Sequence, residues 1–323
     1  MAVLTPLSLD EARALGARYG LVVTRVRGIP AGSVNSNFEL GLASGDRAFL
    51  RVYEEQTAAS AAGEAALLAH LAAHGVPTPR PLSFPGDPAS FIAAHAGKAV
   101  AVFPWIQGES LCQARLTPDA TRRVGEALAR VHAAGASFAG ASPSRFGPAQ
   151  LDERLRKLRS QPLDPTLSNV VAQLSRRLEP LRDRAPRPGA SGLCHGDLFR
   201  DNVLWENGEI SALLDFESAS IESYPFDLMV TLLAFCFGDR LDRDLCRAMI
   251  DGYRGVRPIT AEEAALLHPE GSFAALRFTI TRITDFELRP RGTGVYKDYR
   301  RFLARSEALD ALGPAGLLTF LGV

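Results

Sequence analysis

Residues 195–217 constrain this chain more than any other stretch, and they read HGDLFRDNVLWENGEISALLDFE. Two short apolar runs in it flank the pair Asn207-Gly208, which is the usual signature of a two-residue hairpin turn. Strands are therefore predicted at 203–206 and 209–216. Because so tight a turn folds the second strand back along the first, residues at the two outer ends are expected to meet.

Three polar residues border this predicted hairpin. Asp197 lies in the loop before it, Asn202 precedes the first strand, and Asp215 comes near the end of the second. Two oxygen ligands converging at a strand end suit Mg²⁺, and a carboxylate in the neighbouring loop is free to accept a proton from a hydroxyl. Each residue taken singly is equally well explained as a turn cap. The ordered combination favours phosphoryl transfer.

Two neighbouring residues are interpreted as structural. His195 follows an apolar run and is expected to be a core histidine that hydrogen-bonds the loop backbone, with a catalytic-base role as the alternative. Cys194 beside it has no other basic activator, so we assign it to packing.

The first hundred residues alternate strand and turn patterns around one helical stretch. The helix is predicted over 57–74, ended by Gly75. Strands are predicted at 21–27, 37–42, 48–53, 81–84 and 98–103. This pattern indicates an antiparallel sheet with one long helix inserted after its third strand.

Helices dominate the rest of the chain. Thr117-Pro118 is a good N-cap and first-turn pair for a helix ending near residue 134, and residues 151–181 read as helix interrupted by prolines. We therefore predict an α+β fold of two lobes, with an N-terminal lobe at 1–103, a hinge at 104–108 and a C-terminal lobe at 109–323.

Composition narrows the class of protein. The 323 residues carry formal net charge +0, which gives no long-range attraction to nucleic acid or to an anionic membrane. No apolar run is long enough to span a bilayer, and the four cysteines show no CxxC spacing. A cytoplasmic protein acting on a small molecule is expected, and self-association into a homodimer is left open.

Candidate nucleotide contacts lie in the N-terminal lobe. Arg51 on the third strand and Glu64 on the helix form a predicted cation and carboxylate pair for phosphate binding, although each is also explained as a surface residue. The glycine-containing turn at 28–37 offers Ser33 and Asn35 as hydrogen-bonding groups, but it matches no complete phosphate-loop motif. Residues 104–106 are a candidate adenine contact or simply a linker with a buried tryptophan.

The motif and its flanks resemble a known family. The two-lobed order with HGDLFRDNVLW and then LLDFE resembles the aminoglycoside phosphotransferase-like small-molecule kinases, which share the protein-kinase fold. Residues 27–38, 226–237 and 276–286 are similar to the corresponding stretches of bacterial homoserine kinases of this fold. The resemblance extends over essentially the whole chain.

The resemblance implies roles for individual residues. Asp197 would be the catalytic base, and Asn202 with Asp215 the magnesium ligands. Arg51 would contact phosphate, where the wider superfamily usually has lysine, and Glu64 would be its partner. Adenine would be contacted by Pro104, Trp105 and Ile106.

The resemblance also implies the reaction. It would be ATP- and Mg²⁺-dependent phosphorylation of L-homoserine to O-phospho-L-homoserine, on the way to threonine. For the substrate we expect Arg282 at its carboxylate, Asp285 at its ammonium and Asn37 nearby. The alternatives are the same reaction on choline, ethanolamine, a sugar, hydroxylysine or an aminoglycoside, and a catalytically silent nucleotide-binding module.

Overall fold

The computed structural model describes residues 4–30, 34–288 and 296–323. The chain divides into two compact units, Met1–Gly108 with Ser211–Leu214, and Glu109–Ile210 with Asp215–Val323. In the described residues no helix is both long and apolar enough to cross a membrane.

The first unit is built on a five-stranded antiparallel sheet in the order β1-β2-β3-β5-β4. Its helices are α1 (Leu9–Arg18) and α2 (Ala58–Ala73). Its strands are β1 (Val23–Ile29), β2 (Ser36–Leu42), β3 (Arg47–Val52), β4 (Ile92–His95) and β5 (Lys98–Pro104).

The two faces of this sheet differ in burial. Along β3 burial alternates, so that Ala48 and Leu50 face a core shared with α1, while Phe49 and Arg51 point to the other side and are half-buried. Phe103 of β5 pairs with Phe49 on that second face, with ring centroids 6.2 Å apart. The second face is therefore the one that carries the predicted phosphate-binding arginine.

Three predictions for this unit need correction. The sheet carries two helices, not one, because Ser8 and Glu11 form a capping box that starts α1. Strand β4 was not predicted. Residues 81–84 do not form a strand: Leu82 N–H bonds Val102 O once, and the prolines at 81 and 85 supply no N–H for a longer ladder.

The second unit is mainly helical. Its helices are α3 (Pro118–Gly135), α4 (Pro148–Arg159), α5 (Pro165–Leu178), α6 (Tyr224–Phe235), α7 (Arg243–Val256), α8 (Ala261–Arg282) and α9 (Arg300–Leu321). Strands β6 (Ser191–Cys194) and β9 (Ser220–Ser223) pair with each other. All twelve residues of α6 are buried, which makes it the centre of this core.

The predicted hairpin is present. Strands β7 (Val203–Glu206) and β8 (Glu209–Leu213) form a two-stranded sheet. Asn207 and Gly208 have φ of 52° and 81°, the left-handed pair that a tight hairpin turn requires. The second strand ends earlier than predicted, so that Asp215 lies just beyond it.

Helices α3 and α7 cross at close range because each has glycine at the contact. A Cβ at Gly125 would overlap the Met249 carbonyl oxygen, and one at Gly252 would overlap that of Arg122. Backbone cannot move aside as the end of a side chain can. The crossing therefore depends on the two glycines.

Gly252→Ala is expected to lower the free energy of unfolding by about 1–3 kcal/mol through overpacking. Gly255→Ala on the same helix is the matched control, since its Cβ would meet nothing within 4 Å and alanine favours helix. Urea denaturation of both variants measures the difference. Equal stability of the two would contradict this account of the crossing.

Candidate active site

The loop between β6 and β7 carries the central carboxylate. Asp197 is half-buried, and its pKa is raised to about 7, first because burial removes water from the carboxyl. The Arg277 guanidinium opposes this rise, and the Asp215 carboxylate adds to it. The carboxyl of Asp197 therefore lies within electrostatic range of both Arg277 and Asp215.

Asn202 is oriented by the same loop. Its side-chain nitrogen donates to the carbonyl oxygen of Asp197 at 2.9 Å, which leaves the amide oxygen available as a ligand. Asp215 has φ 64° and ψ 64°, a left-handed conformation that is uncommon for a residue with a side chain. Strain of this kind concentrates at functional sites.

A buried carboxylate on α6 holds the loop in place. Asp227 accepts from the backbone N–H of His195 and of Gly196, each at 2.7 Å, and is itself completely buried. Burial alone would raise the pKa of Asp227, but the hydrogen bond from His132, the nearby His195 ring and the Gly196 N–H lower the pKa. Ser223 is the N-cap of α6, and Asp227 lies in the first turn of that helix.

His132 extends this network into the helical core. Its Nε2 lies 3.0 Å from Asp227 Oδ2, and its Nδ1 lies 2.7 Å from the Tyr253 hydroxyl. Ligand atoms of His132, Cys194 and Asp227 all lie within 4.8 Å of one another. Both Asp227 oxygens already accept N–H groups, and burial raises the pKa of the Cys194 thiol, so we interpret this cluster as a hydrogen-bonded brace.

The expectation for His195 agrees with its contacts. The ring is buried, packs on Phe216 with centroids 4.4 Å apart, and its Nδ1 accepts the Asp197 N–H at 3.3 Å. The His195 ring therefore supports the loop from its buried side.

Arg277 on α8 is a residue that the sequence reasoning missed. Its Nη1 donates to the Gly196 carbonyl at 2.6 Å, and the guanidinium lies 4.3 Å from the Phe146 ring centroid. Burial lowers its pKa to about 10, so it remains a cation at neutral pH. It is therefore a buried positive charge fixed to the residue before Asp197.

The first unit contains the predicted cation and carboxylate pair. Arg51 Nη1 lies 3.4 Å from Glu64 Oε1, and Gln56 also donates to Glu64 at 3.3 Å. Asn37 is buried on β2 directly opposite Arg51 in the strand register. The strand and the helix thus bring these side chains together.

The other predicted nucleotide contacts differ in burial and in the groups they contact. Asn35 is buried, and its side-chain oxygen accepts the backbone N–H of Glu54 at 3.2 Å. Ser33 lies outside the described residues. Pro104 ends β5, Ile106 is half-buried, and the ring of Trp105 lies 4.4 Å beneath the Arg47 guanidinium.

A shallow pocket of about 460 Å³ also touches this segment. Its lining includes Pro104 and Trp105, but its apolar walls come from Leu21, Ala48 and Leu82 on the α1 side of the sheet. Arg51 points to the opposite side. We therefore do not assign this pocket to the nucleotide.

The predicted substrate residues of the second unit have partners of different kinds. Arg282 Nη1 donates to the Asp298 carbonyl oxygen at 2.9 Å, and its guanidinium lies 4.5 Å from the Phe302 ring centroid. Asp285 forms an ion pair with Arg154 at 2.6 Å and accepts from Thr284. The Asp285 carboxylate is thus already paired with a cation.

Comparison with known proteins gives a consistent result. Residues 25–259 match the family model described as the phosphotransferase enzyme family. The chain belongs to the phosphotransferase enzyme family. It is 32% identical to homoserine kinase from Methylocella silvestris, over 98% of each chain, and 34% identical to that from Chelativorans sp., over 92% of each.

Solved structures show the same fold at low identity. An amicoumacin kinase in complex with AMP-PNP, Ca²⁺ and amicoumacin has a TM-score of 0.69 at 18% identity, covering 94% of this chain and 95% of its own. An aminoglycoside phosphotransferase from Alicyclobacillus acidocaldarius has a TM-score of 0.68 at 17% identity, covering 99% and 98%.

These comparisons confirm several predictions made from the sequence. The family resemblance is correct, and the fold is the two-lobed, protein-kinase-like α+β fold. The protein is an ATP-dependent phosphotransferase with a small-molecule acceptor. The roles of individual site residues stay predictions.

Proposed function

We propose that this phosphotransferase transfers the terminal phosphoryl group of ATP to the side-chain hydroxyl of L-homoserine, giving O-phospho-L-homoserine. The observation that carries the choice of acceptor is the similarity to homoserine kinases along nearly the full chain, at about one third identity. The product is an intermediate on the way to threonine.

Asp197 is the residue that accepts the acceptor's proton. The raised pKa, about 7, makes the carboxylate a better base than an ordinary aspartate while leaving it substantially ionised near neutral pH. Asp227 and Arg277 hold the two residues before it, Asp227 through the N–H groups of His195 and Gly196 and Arg277 through the Gly196 carbonyl. The base is thereby fixed in one orientation.

Asn202 and Asp215 fit magnesium. Both offer oxygen atoms, the Asn202 amide is already turned by its bond to the Asp197 carbonyl, and two protein ligands are enough for an ion that keeps phosphate and water in its other positions. A bound Mg²⁺ would neutralise the charge of the phosphate oxygens. Asp215 presents its carboxylate from a left-handed backbone just beyond the end of β8.

Nucleotide binding is assigned to the face of the first sheet that carries Arg51. Arg51, kept in place by Glu64, would contact phosphate, and Pro104, Trp105 and Ile106 would contact adenine. Asn35 would approach the phosphates from the turn before β2. Asn37 and Arg282 are proposed on the acceptor side.

An acceptor panel tests this function. The purified chain, with ATP and Mg²⁺, is expected to release ADP with L-homoserine at a kcat/KM about 10²-fold or more above that with choline, ethanolamine, hydroxylysine or an aminoglycoside. Phosphorus NMR should locate the phosphate on the side-chain oxygen. Turnover of another acceptor in place of homoserine would rule out homoserine as the substrate. No ADP release with any acceptor would rule out the proposed activity.

A further inference from the structure

Four arginines of the second unit form a cluster that we call the arginine cluster: Arg200, Arg282, Arg301 and Arg305. They come from the loop after Asp197, the end of α8 and the first turns of α9. Each of Arg200, Arg282 and Arg305 has a pKa lowered first by burial and then by the positive charge of Arg301. The contacts agree: the guanidinium groups of Arg282 and Arg305 lie 4.5 and 4.8 Å from the same Phe302 ring, and Arg200 and Arg305 bond adjacent carbonyls at the end of α6.

These cations bind only neutral oxygens in the described part of the chain. Arg200 donates to the Gln113 side chain at 2.6 Å and to the Ala234 carbonyl, and Arg282 donates to the Asp298 carbonyl at 2.9 Å. Arg305 is 4% exposed and donates to carbonyl oxygens that include Leu233 O at 2.7 Å. None of the four forms an ion pair within residues 4–30, 34–288 and 296–323.

Two other largely buried arginines of this unit have carboxylate partners, whereas Arg277 bonds the Gly196 carbonyl. Arg184 lies 2.8 Å from Glu222 and 2.7 Å from Glu270, and Arg257 pairs with Glu263 at 2.5 Å. The residues outside the described ranges contain no aspartate or glutamate in the sequence, so they supply no missing carboxylate. Arg305 is buried with no carboxylate partner and with other guanidinium groups nearby, which is costly unless an anion joins them.

The cluster lies beside the proposed base. Phe199, two residues after Asp197, packs on Phe302 with ring centroids 5.8 Å apart, and the Arg282 guanidinium lies 4.5 Å from the same Phe302 ring. Arg301 is exposed, whereas Arg305 is buried behind it. A short acceptor with its hydroxyl at Asp197 would bring a second group to Arg282 and Arg301.

We infer that Arg282 and Arg301, supported by Arg200 and Arg305, form a subsite for the carboxylate of an amino-acid acceptor. This rests on the proposed function and extends it, because it makes Arg301 a residue that selects amino acids over amines. A guanidinium binds a carboxylate with two parallel hydrogen bonds, which gives both charge and direction.

Arg301→Gln is the test, since this exposed residue can be changed without opening the core. For L-homoserine, KM is expected to rise about 10- to 100-fold, as for loss of one charged hydrogen-bond pair, with kcat within about threefold. For 3-amino-1-propanol, which keeps the amine and hydroxyl but lacks the carboxylate, kcat/KM should be the same in both proteins. Arg301→Lys should recover part of the loss, and Arg243→Gln, an exposed arginine on α7, should match the wild type.

Equal losses with both acceptors, or an unchanged KM for homoserine, would overturn the subsite. A second readout does not depend on turnover: acetate, compared with chloride at equal ionic strength, should raise the Tm of the wild type more than that of Arg301→Gln. If the wild type fails to phosphorylate homoserine, the proposed function falls, and the acetate comparison alone then decides the subsite. An identical response of the two proteins to acetate would reject it.

Discussion

Asp197→Asn is expected to lower kcat by about 10²- to 10⁴-fold, because the amide cannot accept the acceptor's proton. The dissociation constant for ATP should change by less than about threefold, since the nucleotide contacts are assigned to other residues. Steady-state kinetics and calorimetric titration with nucleotide measure the two effects. Asp201→Asn is the matched control, because Asp201 is an exposed carboxylate in the same loop. Full activity of the Asp197 variant would contradict the assigned mechanism.

The same substitution should also stabilise the fold at high pH. The folded pKa of Asp197, about 7, exceeds the value of about 3.9 expected in the unfolded chain. Its contribution to stability is therefore fully present below about pH 4 and is lost as pH rises through about 7. The difference in Tm between variant and wild type should thus be near zero at pH 4 and reach a few degrees at pH 8. An unchanged difference across this range would show that Asp197 is not held in a desolvating site.

Asp227→Ala is expected to lower the free energy of unfolding by about 3–5 kcal/mol. The change leaves two backbone N–H groups and the His132 ring without their acceptor in a completely buried site. The kcat of the remaining folded molecules should fall as well, because the peptide before Asp197 loses its anchor. Urea denaturation and steady-state kinetics measure the two effects.

Asp251→Asn on α7 provides the comparison for this prediction. The Asp251 side chain is 58% exposed and lies 3.7 Å from its arginine partner, so its loss should cost less than about 0.5 kcal/mol. Similar destabilisation by the two variants would mean that Asp227 has no special bracing role.

Local signals in the sequence predicted local structure well. The Asn207-Gly208 turn fixed the hairpin because both residues tolerate the left-handed backbone that such a turn needs. The capping box of Ser8 and Glu11 was equally readable and would have identified α1. The failure at residues 81–84 came from reading apolar character as a strand where proline removes the N–H groups of a ladder.

Long-range contacts within the site were not predictable in this way. Asp227 reaches the loop across 31 and 32 positions, and Arg277 reaches it across 81, and neither contact leaves a periodic pattern. The arginine cluster likewise joins residues from separate elements, so its missing carboxylates become evident only when the contacts of each guanidinium are compared. Family resemblance supplied the roles of Asp197, Asn202 and Asp215 as expectations, since it transfers chemistry that a single sequence does not encode locally.

The left-handed backbone of Asp215 limits which residues can occupy this position in any functional variant. The conformation admits glycine, asparagine and aspartate most readily, whereas the proposed role as an anionic oxygen ligand requires aspartate or glutamate. Aspartate alone satisfies both demands. Glutamate would keep the charge but disfavours the left-handed conformation. Glycine adopts that conformation without strain but has no side-chain oxygen. If Asp215 is a metal ligand as proposed, both the backbone and the chemistry of this position therefore select the same residue.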